Sequence, residues 1–119
     1  MSQPWYDLAA GKLDNSDSIQ KTYPCSLDKN NGYLCLSNDK LVFVNVKGFL
    51  KKSYNVAQEV PYTDLKEVML GSRYKLNLVH QTGENLIDTG DLSAKTIMRA
   101  IQDIVNQSPA KDEVVFLEN

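Results

Sequence analysis

The stretch Gly32 to Tyr54, GYLCLSNDKLVFVNVKGFLKKSY, constrains the fold most, because it is the longest apolar and β-branched region of the chain. Two turn signals, Asn38-Asp39 and Lys47-Gly48, divide it into three consecutive antiparallel strands. Asn38-Asp39 suits a two-residue hairpin, since both residue types tolerate positive φ. In the middle strand, Lys40 to Lys47, Leu41 and Phe43 face one side while Val42, Val44 and Val46 face the other. A strand apolar on both faces needs cover on both, at least in part.

The remaining text supplies more strands and then changes period. Ile19 to Leu27 alternates as a first strand, with Pro24 implying an edge position or a bulge, because proline cannot donate to a ladder. Asp28 to Gly32 reads as a turn. Its glycine and acids are not where a calcium loop needs them. Tyr33 to Ser37 is the second strand. Leu50 to Val60 is the fourth, with Leu50, Tyr54 and Val56 in phase. Pro61 ends it, and one tight turn follows. Glu67–Gly71, Tyr74–Gln81 and Glu84–Thr89 complete seven strands, the last two joined at Thr82-Gly83. Tyr74, Leu76, Leu78 and His80 share a face. From Ser93, the spacing of Ala94, Ile97, Met98, Ile101, Ile104 and Val105 predicts an amphipathic helix to Gln107, with Ser93 as N-cap. Such a helix is about 22 Å long, sufficient to cover one opening of a small barrel.

With 119 residues the chain has the length of one domain. The reading divides it into an N-terminal arm or short helix (1–18), a globular domain (19–107) and a C-terminal tail (108–119). The arm either packs Trp5 on the body or serves a partner. The tail, with Val114-Val115-Phe116-Leu117, is either a frayed end or a strand added to an edge, in this molecule or a neighbour. A net charge of −2 argues against a general nucleic-acid binder. The first residues lack the basic and apolar regions of a signal peptide, and no apolar run reaches membrane-spanning length. The expected location is cytoplasmic, with a peripheral membrane position as an extension. Cys25 and Cys35 are equidistant from Asn30, so a symmetric turn would set them face to face. They are expected as reduced, half-buried thiols, with a redox-linked disulfide as the alternative.

No pattern carries catalysis. His80 is the one histidine, no nucleophile elbow or phosphate-cradling glycine loop occurs, and the carboxylates form no recognisable pair. No enzyme activity, metal or cofactor is expected. The best candidate surface is the hairpin tip Lys47, Gly48, Phe49, Leu50, Lys51 and Lys52, which has three cations, no acid and two large apolar residues. Lys29, in the neighbouring turn, joins the candidate surface. Three readings stand: Leu50 in the core with solvated lysines, contact with an anionic bilayer, or contact with an acidic protein.

Seven short antiparallel strands followed by one C-terminal helix resemble a pleckstrin-homology-like domain. Gly32-Tyr33-Leu34-Cys35-Leu36-Ser37-Asn38-Asp39-Lys40-Leu41-Val42-Phe43 resembles the "G-x-L-x-L-T-N-x-R-L-I-F" hairpin of prokaryotic and GRAM-type members. Val60-Pro61-Tyr62-Thr63-Asp64-Leu65-Lys66-Glu67-Val68 resembles their "I-P-Y-x-D-I-x-x-V" step. The resemblance implies a seven-stranded antiparallel barrel or sandwich capped by a helix, mostly β in class. It implies a non-catalytic module that binds lipids, peptides or proteins. Phosphoinositide-binding members have a basic loop after the first strand, whereas Asp28-Lys29-Asn30-Asn31 holds one acid and one base. Peptide-binding members add a strand to the fifth strand beside the helix, which maps here to Val68, Met69 and Leu70 with Ile97, Met98 or Arg99. The preferred reading is a binding or scaffold module for a protein partner or for itself as a homo-oligomer. The second is a GRAM-like or GLUE-like membrane-recruitment domain that uses the Lys47–Lys52 tip.

Overall fold

A computed structural model describes residues 3–118. Met1, Ser2 and Asn119, at the outer ends of the expected arm and tail, lie outside the described residues. The elements are α1 (Pro4–Ala10), β1 (Ile19–Leu27), β2 (Asn30–Ser37), β3 (Lys40–Lys47), β4 (Ser53–Pro61), a 3-10 turn (Tyr62–Asp64), β5 (Leu65–Ser72), β6 (Lys75–His80), β7 (Gly83–Asp88), α2 (Ala94–Val105) and β8 (Val115–Glu118).

The strands form one sheet in the order β4-β3-β2-β1-β7-β6-β5-β8. The join between β1 and β7 is narrow: Ser26 pairs with Asp88 and Leu27 with Ile87. The sheet therefore folds there into two leaves, β4-β3-β2-β1 and β7-β6-β5-β8, packed as a sandwich. Pro24 sits on the part of β1 that has already left β7, so its missing N–H interrupts no ladder on that side. No bulge occurs at Pro24, which pairs in register with Tyr33; β1 shifts register instead between Ile19 and Lys21.

Between the leaves lies the main core, with Leu34, Leu36, Leu41 and Phe43 from the first leaf and Val68, Leu76, Leu78 and Ile87 from the second. Ile97, Met98, Ile101 and Val105 of α2 close one opening and pack on β5 and β6. Ser93 occupies the N-cap without a side-chain cap bond, and the Ala94 N–H donates instead to the Arg73 carbonyl at 2.7 Å. The expected two-faced β3 is present: Leu41 and Phe43 enter the main core, while Val42 and Val44 enter a second cluster on the outer face. That second cluster is covered by α1. A seven-residue helix has little stability alone, and α1 is held by Ala9, fully buried, and by Trp5, whose ring stacks on Tyr33 at 4.0 Å and 8°.

Three expectations need correction. The sheet has eight strands, not seven, and is not closed into a barrel. The eighth strand is the tail: Val115 to Glu118 pairs parallel to β5. The third correction is the first turn, which has two residues rather than five. Asp28 and Lys29 take φ of 49° and 72°, and β2 begins at Asn30. The Asp28 carboxylate fixes this conformation by accepting from the Leu86 N–H at 2.8 Å and the Asn85 Nδ2 at 2.7 Å.

The two sequence motifs meet in space. Tyr62, 1% exposed, donates its hydroxyl to the Ser37 carbonyl at 2.8 Å, and its N–H donates to the Asp39 carbonyl at 3.0 Å. Ser37 Oγ donates to Asp17 Oδ2 at 2.7 Å and accepts from the N–H of Lys40 at 3.1 Å. The "Ser-Asn-Asp-Lys" hairpin and the "Pro-Tyr-Thr-Asp" step are thus one hydrogen-bonded unit at one end of the first leaf.

Candidate functional site

The opposite end of the same leaf is the β3–β4 tip. Lys47 pairs with Ser53 at the last rung, and residues 48 to 52 form the connection. Gly48 turns the chain with φ +101°, where a Cβ would lie 2.2 Å from the Lys51 carbonyl oxygen. This compact connection delays β4 until Ser53, so Leu50 is not the first residue of that strand. Tyr54 and Val56 do pack together on the outer face, whereas Leu50 is 93% exposed and Phe49 91% exposed. The reading of Leu50 as core is therefore overturned. Lys47, Lys51 and Lys52 are exposed and, among the described residues, enter no ion pair. From Lys40 to Gln58 the sequence has no Asp or Glu. The exposed serine that begins β4, Ser53, belongs to this surface and had no distinguishing signal of its own in the sequence.

Lys29 is exposed on the β1–β2 turn, at the same end of the leaf as the tip. Its neighbour Asp28 is bound to β7 rather than offered to a ligand. Beside this end runs an open cleft of about 1030 Å³ whose lining includes Tyr23, Cys25, Lys52, Asp88 and Asp91. Two carboxylates against one lysine make this lining a poor match for a phosphate.

The expected peptide groove is already filled. Val68 pairs with Phe116, Met69 with Leu117 and Leu70 with Glu118. Phe116 packs against the main core beside β5, where Val68 and Met98 are buried. Lys95 on α2 meets Glu118 at 3.1 Å. Ile97 is buried beneath and Arg99 points to solvent. The groove residues are brought together as expected, but around the chain's own tail.

The cysteines do not face each other. The shortened turn sets Cys25 opposite Gly32 and Cys35 opposite Thr22, which puts the two thiols on opposite faces of the leaf. Both are free. Burial pushes the Cys25 thiol up to about 12 and Cys35 up to about 11, the reverse of what a reactive thiolate requires. Gly32, across from Cys25, has no room for a side chain: a Cβ would lie 2.0 Å from the Val44 carbonyl oxygen and 2.9 Å from the Phe43 ring.

His80, 6% exposed, is held in a polar network. Its Nε2 lies 2.7 Å from Asn85 Oδ1, its Nδ1 3.0 Å from Thr82 Oγ1, and Gln58 approaches at 3.1 Å. Asn85 Nδ2 donates to Asp28, so the Asn85 oxygen faces the imidazole Nε2. The partners are amides and a hydroxyl, which makes the network a tie between the leaves. The described residues include no group of three or more His, Cys, Asp or Glu arranged to hold a metal. No described helix is long and apolar enough to cross a membrane.

Family comparison agrees with this architecture. The profile of the PLEKHM2 PH domain-like family matches residues 13–117. The chain belongs to that PH-like family. The matched span of this PH-like domain starts after α1 and includes β8 up to Leu117. No curated protein matches the sequence. Among solved structures, the fold is similar to the hSac2 domain from human phosphoinositide phosphatase Sac2, with a TM-score of 0.64 and 9% identity over 95% of this chain and 84% of that one. It is also similar to the C-terminal domain of an unknown protein from Leishmania infantum (TM-score 0.56, 12% identity, 75% of this chain, 84% of that one). A third similar fold occurs in the Spt16D Pob3N heterodimer (TM-score 0.54, 14% identity, 86% of this chain, 56% of that one). At these identities the likeness concerns the fold of the PH-like domain alone.

Proposed function

We propose that this PH-like domain is a non-catalytic recruitment module that rests its β3–β4 tip on an anionic membrane surface. One observation carries the reading: Phe49 and Leu50 stand 91% and 93% exposed on a tip flanked by Lys47, Lys51 and Lys52. Burying a side chain of either type is worth about 1.5–3 kcal/mol. The fold forgoes that gain at both positions, and a partner that accepts both recovers it. An anionic bilayer matches each component. Its interface takes the apolar pair, and each lysine near its surface adds about 1 kcal/mol. The peptide route open to other members of the superfamily is closed here by β8, which moves the weight of the reading to the tip.

Three lysines and two side chains give reversible binding, so tethering or a second contact sets the residence time. Lys29 stands at the same end and adds one further cation. The proposed location is peripheral, on the cytoplasmic leaflet, where anionic lipid is concentrated and thiols stay reduced.

Co-sedimentation with phosphatidylcholine vesicles, with and without phosphatidylserine, tests the reading. Wild type is expected to sediment with the anionic vesicles and to be released by salt. Combined Lys47→Glu, Lys51→Glu and Lys52→Glu substitutions are expected to abolish sedimentation, and Phe49→Ala with Leu50→Ala to weaken it strongly. Wild type that stays in the supernatant with anionic vesicles, or a triple Glu variant that sediments like wild type, overturns the membrane reading. Attention then turns to an acidic protein as the partner of the tip.

A further inference from the structure

Ser53 occupies a position with consequences for the tip. It is exposed, it follows Lys51-Lys52 directly, and it is the cross-strand partner of Lys47 on the last rung of the β3–β4 ladder. Directly opposed residues in an antiparallel pair have Cβ atoms about 4.5–5.5 Å apart. A group attached to the Ser53 hydroxyl therefore lies within ion-pair reach of Lys47 and beside Lys52. No carboxylate in the segment from Lys40 to Gln58 competes for these lysines.

We infer that Ser53 is a phosphorylation site that switches the tip off. The inference rests on the membrane reading and assigns its regulation. In the modifying step, a kinase transfers the γ-phosphoryl group of a nucleoside triphosphate. The bond from phosphorus to the β-bridging oxygen breaks, a bond from phosphorus to Ser53 Oγ forms, the nucleoside diphosphate leaves, and the hydroxyl proton passes to solvent. The product carries about −1.5 to −2 charges at neutral pH. Set among Lys47, Lys51 and Lys52, it offsets about half to two-thirds of their combined charge and draws them into intramolecular pairs. The same phosphate repels an anionic headgroup layer. Phe49 and Leu50 remain exposed, but without cations behind them their approach to the bilayer is no longer favoured.

Genetically encoded phosphoserine at Ser53 tests this in the full chain, against the same two vesicle compositions. The expected result is at least about tenfold weaker binding to phosphatidylserine vesicles, with a reduced dependence on salt. Phosphoserine at Ser16 serves as the charge-matched control. Ser16 is exposed beside Asp17, which bonds the far end of the leaf, and β3 alone separates the ends by roughly 23 Å. It is expected to leave binding near the wild-type level. If the Ser53 phosphoprotein binds anionic vesicles as tightly as wild type, or if the Ser16 control weakens binding equally, the switch is refuted while the membrane reading stands. If unmodified wild type fails to bind, the membrane reading falls, and the switch falls with it. A thermal melt of each protein separates lost affinity from lost fold.

Discussion

The two ends of β3 are opposites. At the Lys40 end, the polar groups around Ser37 have partners inside the molecule. Ser37 Oγ, Asp17, Asn38 and the Tyr62 hydroxyl form a connected set, and Lys40 meets Glu59 at 2.8 Å. At the Lys47 end, the cations have no ion-pair partner among the described residues, and two large apolar side chains face water. Eight residues of one strand join a closed end to an open one. The difference shows that local composition alone does not locate the working surface. Both ends contain lysines, an aromatic residue and a tight turn. Only at the Lys40 end does the following segment, through Tyr62, return to cover the hairpin.

Matched substitutions at the two ends break or sharpen this contrast. The largest expected effect is Tyr62→Ala, which removes a fully buried aromatic side chain and should cost about 3–5 kcal/mol in urea denaturation. A loss below 1 kcal/mol would mean that the closed end is not closed, on the scale where about 1 kcal/mol is an ordinary substitution.

Tyr62→Phe isolates the hydroxyl and should cost about 1–2 kcal/mol at neutral pH. Its pH dependence adds a sign. Burial, with Asp17 and Asp39 nearby, raises the Tyr62 pKa well above its ordinary value of 10.0. Above pH 10 the unfolded chain ionises this tyrosine while the folded chain keeps it neutral, so wild type loses stability as pH rises through that range. Phe cannot ionise. The gap between wild type and Tyr62→Phe should therefore narrow above pH 10, as followed by melts across the alkaline range. A gap that stays constant would place the hydroxyl in water rather than on Ser37.

The smallest expected effect is at the other end. Phe49→Ala and Leu50→Ala should each change stability by no more than about 0.5 kcal/mol, since neither side chain is packed. The same chemical change, aromatic to alanine, thus has a large effect at Tyr62 and almost none at Phe49. A Phe49→Ala loss above 1 kcal/mol would show the tip to be folded onto the body, and would remove the basis for a free docking surface.

Much of the scaffold was legible because its signals are local and periodic. β3 shows its two faces in Leu41-Val42-Phe43-Val44, and α2 shows its stripe in Ile97, Met98, Ile101 and Val105. The tip's composition was legible too, in Lys47 to Lys52, but its exposure was not. Whether Leu50 continues β4 depends on how many residues the Gly48 turn absorbs, and that is a matter of backbone geometry. Three other features were hidden because they depend on distant partners. The Asp28-Lys29 turn is short because β7 supplies the donors that hold Asp28, and these lie 57 and 58 residues away. Cys25 and Cys35 were set facing each other only under the longer turn. The fate of Val114 to Leu117 turned on whether the β5 edge was vacant, which no local pattern states.

Trp5 is the chain's one tryptophan, and it lies on the outer face of the sandwich, stacked on Tyr33, rather than in the main core. The tryptophan emission of this protein, excited selectively, therefore reports the seating of α1 rather than the packing between the leaves. An emission change at mild denaturant, ahead of the far-ultraviolet circular dichroism transition, would mark the helix lifting from a sandwich that is still folded. The molecule thus carries a native optical gauge for the element that precedes its family-matched span.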